Sequence, residues 1–178
     1  MFLDNSYFQG ELQLPNLKFN DQAIGVAAML QVIGENTLEW YVEKYEREFL
    51  YRLLGVSLCE AFIAGMQQEQ PNEIWIKLKN KIYLTEGKFS FSPAANYVYY
   101  WLSRRGKTQT SMTGEVREEA DYSTVAPVAP VLVKVWNDML PMIAGIRRYL
   151  DGNWDTYGQY ADDYYCECDF KPINSFNI

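Results

Sequence analysis

Apolar residues recur at helical spacing along several stretches of the chain. Over residues 37–54, five apolar side chains are spaced by three or four positions: Leu38, Val42, Tyr45, Phe49 and Leu53. This spacing places them on one face of an α-helix. Glu43 and Arg47, and likewise Glu48 and Arg52, are opposite charges four residues apart on the polar side, where such pairs stabilise a helix.

Weaker patterns of the same kind predict three shorter helices. They cover residues 21–34, about 57–64 and about 73–84. Gly55 stands where a left-handed residue ends the preceding helix, and Gly65 is predicted to end the one over 57–64.

Two further helices are predicted in the second half of the chain. Ser92 is a good N-terminal cap. The residues at 97–102 are bulky on nearly all sides, which predicts a helix in the middle of the fold or in an interface. The last helix follows Pro130 and covers residues 131–150, with Pro141 expected to kink it. Its apolar stripe consists of Leu132, Val135, Trp136, Met139, Ile143, Ile146 and Leu150.

Between these two helices lies a long polar break, residues 106–130. Compact domains seldom contain an irregular connection longer than roughly 12–15 residues unless it is functional or disordered. We therefore predict an all-α domain of five or six helices over residues 21–152. An extended N-terminal arm (1–20) and an acidic, aromatic C-terminal arm (153–178) flank it, and the 106–130 loop reaches toward a partner.

Composition narrows the function classes. The chain of 178 residues has no histidine, which removes the commonest general base and most zinc sites. We therefore predict that it is not an enzyme and binds no cofactor. The net charge of −7 makes it a poor binder of nucleic acid, because that affinity depends largely on Lys and Arg neutralising phosphates. No stretch is apolar enough to cross a membrane.

Two weak metal motifs lie near the C-terminus. The polar residues from Asp151 to Asp162 follow the spacing of a calcium loop, but Thr156 replaces the required glycine. Cys166 and Cys168 form a Cys-x-Cys pair with no second ligand cluster, and two thiolates do not close a tetrahedral site. We predict no metal at either place.

The aromatic residues of the C-terminal arm leave two alternatives open. The arm either folds back on its own core or docks on a neighbouring subunit, because so many aromatic side chains are costly to expose. If it docks on a neighbour, a chain without residues 153–178 stays folded and assembles less well. The candidate interface residues in the loop and the arm are Lys107, Met112, Val116, Arg117, Tyr122, Trp154, Tyr157, Tyr160, Tyr164, Tyr165 and Phe170.

Four stretches together resemble a known family. They are EKYEREFLYRLLGVSLCEAF (43–62), SPAANYVYYWL (92–102), QTSMTGEV (109–116) and VLVKVWNDML (131–140). Across roughly residues 36–150 the chain resembles small helical proteins encoded beside the capsid and portal genes of phages and prophages of Bacteroides-type bacteria.

The resemblance implies a head-to-tail connector, or neck adaptor, of a tailed phage virion assembled in the host cytoplasm. Such proteins form rings, commonly of twelve subunits, below the portal and continue the DNA channel toward the tail. The implied partners are further copies of the chain, the portal, and other neck or tail proteins. DNA passes through without sequence-specific binding, and a long loop or hairpin points toward the channel or the next ring.

Two alternatives from other classes remain. One is a monomeric acidic protein-binding module, such as a regulatory or anti-defence protein, whose acidic arm attracts a basic partner. The other is a metal-dependent enzyme that uses the carboxylates near residues 151–169.

Overall fold

A computed structural model gives the architecture of most of the chain. Six α-helices and two β-hairpins occur in the described residues, so the mostly helical fold predicted from the sequence is confirmed. The described residues are 1–13, 38–87, 89–105, 108–111, 114–117, 128–161 and 170–174. The elements are α1 (Leu38–Leu54), α2 (Val56–Met66), α3 (Glu73–Ile82), β1 (Leu84–Glu86), β2 (Phe89–Phe91), α4 (Pro93–Arg105), β3 (Thr108–Ser111), β4 (Gly114–Arg117), α5 (Val128–Asp151) and α6 (Trp154–Tyr157).

Helix α4 lies at the centre of the fold, packed against both α1 and α5. Tyr97 of α4 is fully buried, with its ring centroid 5.6 Å from that of Phe49 on α1 and 5.9 Å from that of Trp136 on α5. The Asn96 side chain, also buried, donates to the Val135 carbonyl of α5 over 2.9 Å. The central position predicted for this helix is confirmed.

The apolar stripes predicted for α1 and α5 form the two outer layers of this core. All twelve of their residues are buried in the structure. Burying large apolar side chains contributes roughly 1.5–3 kcal/mol each, so these stripes account for much of the stability of the fold. On the polar side of α1, Arg52 pairs with Glu48 at 3.3 Å as predicted, whereas Arg47 pairs with Glu60 of α2.

Helix ends agree with the sequence prediction where caps and glycines define them. Gly55 has φ of 77°, and the Ser92 hydroxyl accepts from the Ala94 amide over 3.2 Å. α3 ends at Ile82, two residues early, because the chain turns into β1. α5 begins at Val128, so its first turn lies inside the predicted break, and it continues as one helix across Pro141.

The prediction that Gly65 ends a helix is wrong. Gly65 lies within α2, buried against α3, where a Cβ would come within 2.2 Å of the Trp75 indole. The residue is small because two helices approach closely there.

The two β-hairpins add short antiparallel ladders to the helical fold. β1 and β2 pair in the register Leu84↔Phe91, Thr85↔Ser90 and Glu86↔Phe89. β3 and β4 lie inside the predicted 106–130 break, which is therefore structured over residues 108–111 and 114–117. The helix predicted over 21–34 lies outside the described residues.

Residues 1–13 pack on the helices of their own chain. They form two 3₁₀ turns, Asn5–Tyr7 and Gly10–Leu12, and bury Leu3, Tyr7 and Phe8 in the core. The predicted N-terminal arm is thus part of the domain over these residues, and its remainder, 14–20, lies outside the described residues.

The described part of the C-terminal arm also packs on the domain. Asn137 of α5 and Ile173 exchange two hydrogen bonds of 3.0 Å, from the Asn137 amide to the Ile173 carbonyl and from the Ile173 amide to Asn137 Oδ1. Trp136 Nε1 donates to the Lys171 carbonyl over 2.8 Å. These three hydrogen bonds therefore hold segment 170–174 along α5.

Candidate interaction surfaces

The loop residues predicted to meet a partner centre on the β3–β4 hairpin. Val116 and Arg117 lie in β4, paired with Gln109 and Thr108 of β3. Three further candidates in this region lie outside the described residues: Lys107, Met112 and Tyr122.

The β3–β4 hairpin is bound mainly to itself. Its two strands pair with each other, and no other element of the described part of the chain packs extensively against them. The helices on either side, α4 and α5, pack closely together. A short ladder thus lies, along the chain, between two helices that pack on each other.

The aromatic residues predicted in the C-terminal arm separate into two groups. Trp154 is 45% exposed and remains accessible to a partner. Tyr157 is only 1% exposed, and its hydroxyl donates to the Ile74 carbonyl over 2.9 Å. The Tyr160 ring lies 5.0 Å from that of Trp75.

Phe170 is partly buried and packs against the core as well. Its ring centroid is 5.5 Å from that of Phe49 and 6.4 Å from that of Trp136. For the described residues, the arm follows the alternative in which it folds back on its own core. Tyr164 and Tyr165 lie outside the described residues.

A groove of about 320 Å³ opens between the N-terminal turns, β2 and α5. Leu12 lines it on one side and Val135 and Met142 on another, while the four consecutive residues 89–92 form its third wall. Side chains alternate between the two faces of a strand. Because four consecutive residues line the groove, both faces contribute to this wall, and the wall therefore runs along the edge of β2.

An exposed apolar face adjoins this groove. Phe89 is 58% exposed, Phe91 44% and Leu84 37%. The β1–β2 register pairs Leu84 with Phe91 and Glu86 with Phe89, so all four residues lie on one face of the hairpin.

The groove carries negative charge. Among its described lining residues are two carboxylates, Glu11 and Asp138, and no lysine or arginine. Lys134 bonds both from the rim, to Asp138 over 2.8 Å and to Glu11, which raises the pKa of its ammonium group to about 12. The Lys134 ammonium group thus pairs with both carboxylates, and these three groups together carry one net negative charge.

Glu46 fixes the N-terminal turns that form one wall of the groove. Its buried carboxylate accepts from the Phe2 and Leu3 amides, each at 3.0 Å, and from the Tyr83 hydroxyl at 2.8 Å. Burial raises the pKa of Glu46, although these hydrogen bonds act in the opposite direction. Ser6 Oγ donates to Ser90 Oγ over 3.0 Å, which ties the first turn to β2.

Reactive chemistry has little support among the described residues. No group of three or more Asp, Glu or Cys side chains there is arranged to hold a metal ion. Burial raises the pKa of the Cys59 thiol to about 12, which leaves it protonated and a poor nucleophile at neutral pH. In the part of the chain that the structure describes, no helix combines the length and apolarity needed to span a membrane.

The groove and the apolar face of β1–β2 were not predicted from the sequence. One signal was present: Phe89 and Phe91 alternate with Ser90 and Ser92, directly after the pair Gly87 and Lys88. Alternation of period two after a glycine is typical of a hairpin. By contrast, Glu11 and Asp138 are far apart in the sequence, and no local pattern joins them.

Comparisons with known proteins identify no relative. No protein family, no curated protein and no solved structure matches the chain.

Proposed function

We propose that this chain is a structural protein of a tailed phage virion, a head-to-tail connector that forms a ring below the portal. In this proposal each copy contacts the next through two different surfaces, and such heterologous contacts can close into a ring. The resemblance implies about twelve copies in the ring. The ring continues the DNA channel, and its other partners are the portal and further neck or tail proteins.

The observation that carries the proposal is the β3–β4 hairpin. It lies within the stretch that resembles the connector family and, along the chain, between two helices that pack on each other. A ladder whose strands pair with each other, and do not pack extensively on other described elements, suits contact with a neighbouring subunit or with the channel.

Two further features support a structural role. The core is dense in aromatic rings that pack in tilted and edge-to-face pairs, which suits a rigid building block. The net charge of −7 suits a conduit wall, because DNA is repelled from it rather than held.

The test is negative-stain imaging and native mass spectrometry of the purified chain over a wide concentration range, alone and with the portal of the same phage. Closed rings are the expected result. Monomers under all conditions, including with the portal, would contradict the connector function and favour the monomeric acidic binding module.

One variant tests the role of the β3–β4 hairpin in ring formation independently of the helical fold. Replacing residues 108–117 with a glycine-serine segment of equal length removes the β3–β4 ladder and leaves α4 and α5 intact. We expect the far-ultraviolet helical signal to persist and ring formation to be lost. The control replaces the exposed turn at residues 68–70 in the same way and keeps ring formation.

A further inference from the structure

We propose that the groove beside β2 binds an extended, basic and apolar peptide segment of another protein, which adds to β2 as a third strand. This site lies apart from the β3–β4 hairpin. The inference goes beyond the connector function and does not depend on ring formation.

The edge of β2 offers main-chain groups to such a strand. In a hairpin closed by two residues, the flanking pair, here Glu86 and Phe89, exchanges both backbone hydrogen bonds. The next pair does not, so the N–H and C=O of Ser90 point away from β1 and toward the groove. Among the described residues, no backbone-to-backbone bond joins Ser90 to a turn, a loop or a helix.

The edge is held ready for binding. Ser6 bonds the Ser90 side chain, and Ser92 caps α4 directly after β2. Because β2 is fixed by its neighbours, an incoming strand loses little free energy in ordering it. Two-stranded ladders are only marginally stable in water, and a third strand stabilises them.

Exposed side chains specify the apolar part of the ligand. Phe89 and Phe91 lie on the open face of β2, and Leu84 extends that face on β1. Alternate side chains of an added strand would stand beside the two phenyl rings. Val135 and Met142 provide apolar surface in the groove itself.

Charge specifies the remaining part of the ligand. Glu11 and Asp138 share one ammonium group, and Glu86 adds a third carboxylate next to Phe89. A Lys or Arg between the apolar positions of the peptide complements these groups. An acidic segment would meet three carboxylates.

The experiment measures fluorescence anisotropy of a labelled six-residue peptide in which lysine alternates with valine or phenylalanine. Two matched peptides accompany it: one with glutamate for every lysine, and one with alternate backbone nitrogens methylated. We expect the first to bind, and the other two to bind at least about tenfold more weakly. Equal binding of all three would overturn the proposal, as would no binding at about millimolar concentration.

Substitutions locate the site on the protein. The double variant Phe89→Ser and Phe91→Ser is expected to weaken peptide binding at least about tenfold, and Glu11→Gln with Asp138→Asn to reduce its dependence on salt. Val56→Ser is the control, because Val56 is 60% exposed on another element. Coincident thermal unfolding curves verify that the variants fold. An unchanged affinity in the Phe89 and Phe91 variant would overturn the proposal.

The same variant distinguishes a peptide from a second copy of the chain. If sedimentation shows that it loses self-association while the basic peptide does not bind the original protein, a second copy is the occupant and the proposal fails. Peptide binding that persists when residues 108–117 are replaced would separate this site from the β3–β4 hairpin.

Discussion

Glu46 shows how one buried carboxylate organises a distant surface. It receives hydrogen bonds from the Phe2 and Leu3 amides and the Tyr83 hydroxyl. These bonds hold the N-terminal turns against α1, and the turns in turn form a wall of the groove. Removing the carboxylate leaves buried donors without partners, each costing about 1–3 kcal/mol.

The raised pKa of Glu46 predicts a pH dependence of stability. The folded chain holds the proton more tightly than the unfolded chain, in which the pKa is near 4.5. Stability from this group therefore increases as pH falls from neutral toward 4.5, and is lost as pH rises through the folded-state pKa. We expect Glu46→Gln to remove this increase, as measured by urea unfolding at a series of pH values. Identical pH profiles for the two proteins would contradict it.

Gly65 and Gly145 form a matched pair for the effect of one methyl group. A Cβ at Gly65 would overlap the Trp75 indole, whereas no atom lies within 4 Å of a Cβ at Gly145. We expect Gly65→Ala to destabilise the fold by about 1–3 kcal/mol. Gly145→Ala, in the interior of α5, should stabilise it by about 0.5–1 kcal/mol. Denaturant unfolding measures both, and equal effects would refute the packing argument.

Single residues also mark the limit of prediction from sequence. The stripe from Leu38 to Leu53 was predictable because helical spacing is a local property. Gly65 was misinterpreted as a helix end because its reason for being small, the Trp75 ring, lies on another helix. Arg47 likewise pairs with Glu60, outside the range of an i,i+4 rule.

At the scale of elements, helices α1 to α5 were predictable, whereas α6 and the two hairpins were not. β1 and β2 have three residues each, too few for an alternating pattern to stand out against neighbouring helices. The helical pattern of α3 therefore ran past Ile82 into β1. The positive φ of Gly87, 65°, allows the tight connection that sets the hairpin register.

The two hydrogen bonds between Asn137 and Ile173 are expected to hold segment 170–174 on α5. Asn137→Ala removes both hydrogen bonds to Ile173, which is expected to cost about 1–2 kcal/mol. The Ile173 amide should then exchange with solvent faster. Asn80→Ala, on the exposed face of α3, is the control. Unchanged exchange at Ile173 would show that the Trp136 bond to Lys171 holds the segment by itself.

At the scale of the whole molecule, the C-terminal arm is part of the folded unit. From the sequence, one alternative was that the arm docks on a neighbour. In that case the core was expected to stay folded without residues 153–178. The structure changes this expectation, because Tyr157 is buried against Ile74 and Phe170 packs on Phe49. No helical stripe announces these contacts, since the aromatic residues reach the core singly from short turns.

Truncation tests this unity. A chain ending at Gly152 should unfold at a lower urea concentration, since it loses the buried Tyr157 ring and the partly buried Phe170 ring. These rings contribute several kcal/mol by analogy with large core deletions of about 3–5 kcal/mol. A chain lacking only residues 175–178 is the control. Equal unfolding midpoints for the Gly152 truncation and the full chain would show that the arm adds nothing to the core.

The contact between α4 and α5 gives the chain a particular freedom in evolution. Because the two helices pack together, they hold the two ends of the connecting segment close to each other. Loop closure costs only about 0.6 kcal/mol more for each doubling of length. Insertions and deletions between Arg105 and Val128 therefore leave the core nearly unchanged. The length of the segments that flank the β3–β4 hairpin can thus change at little cost in stability.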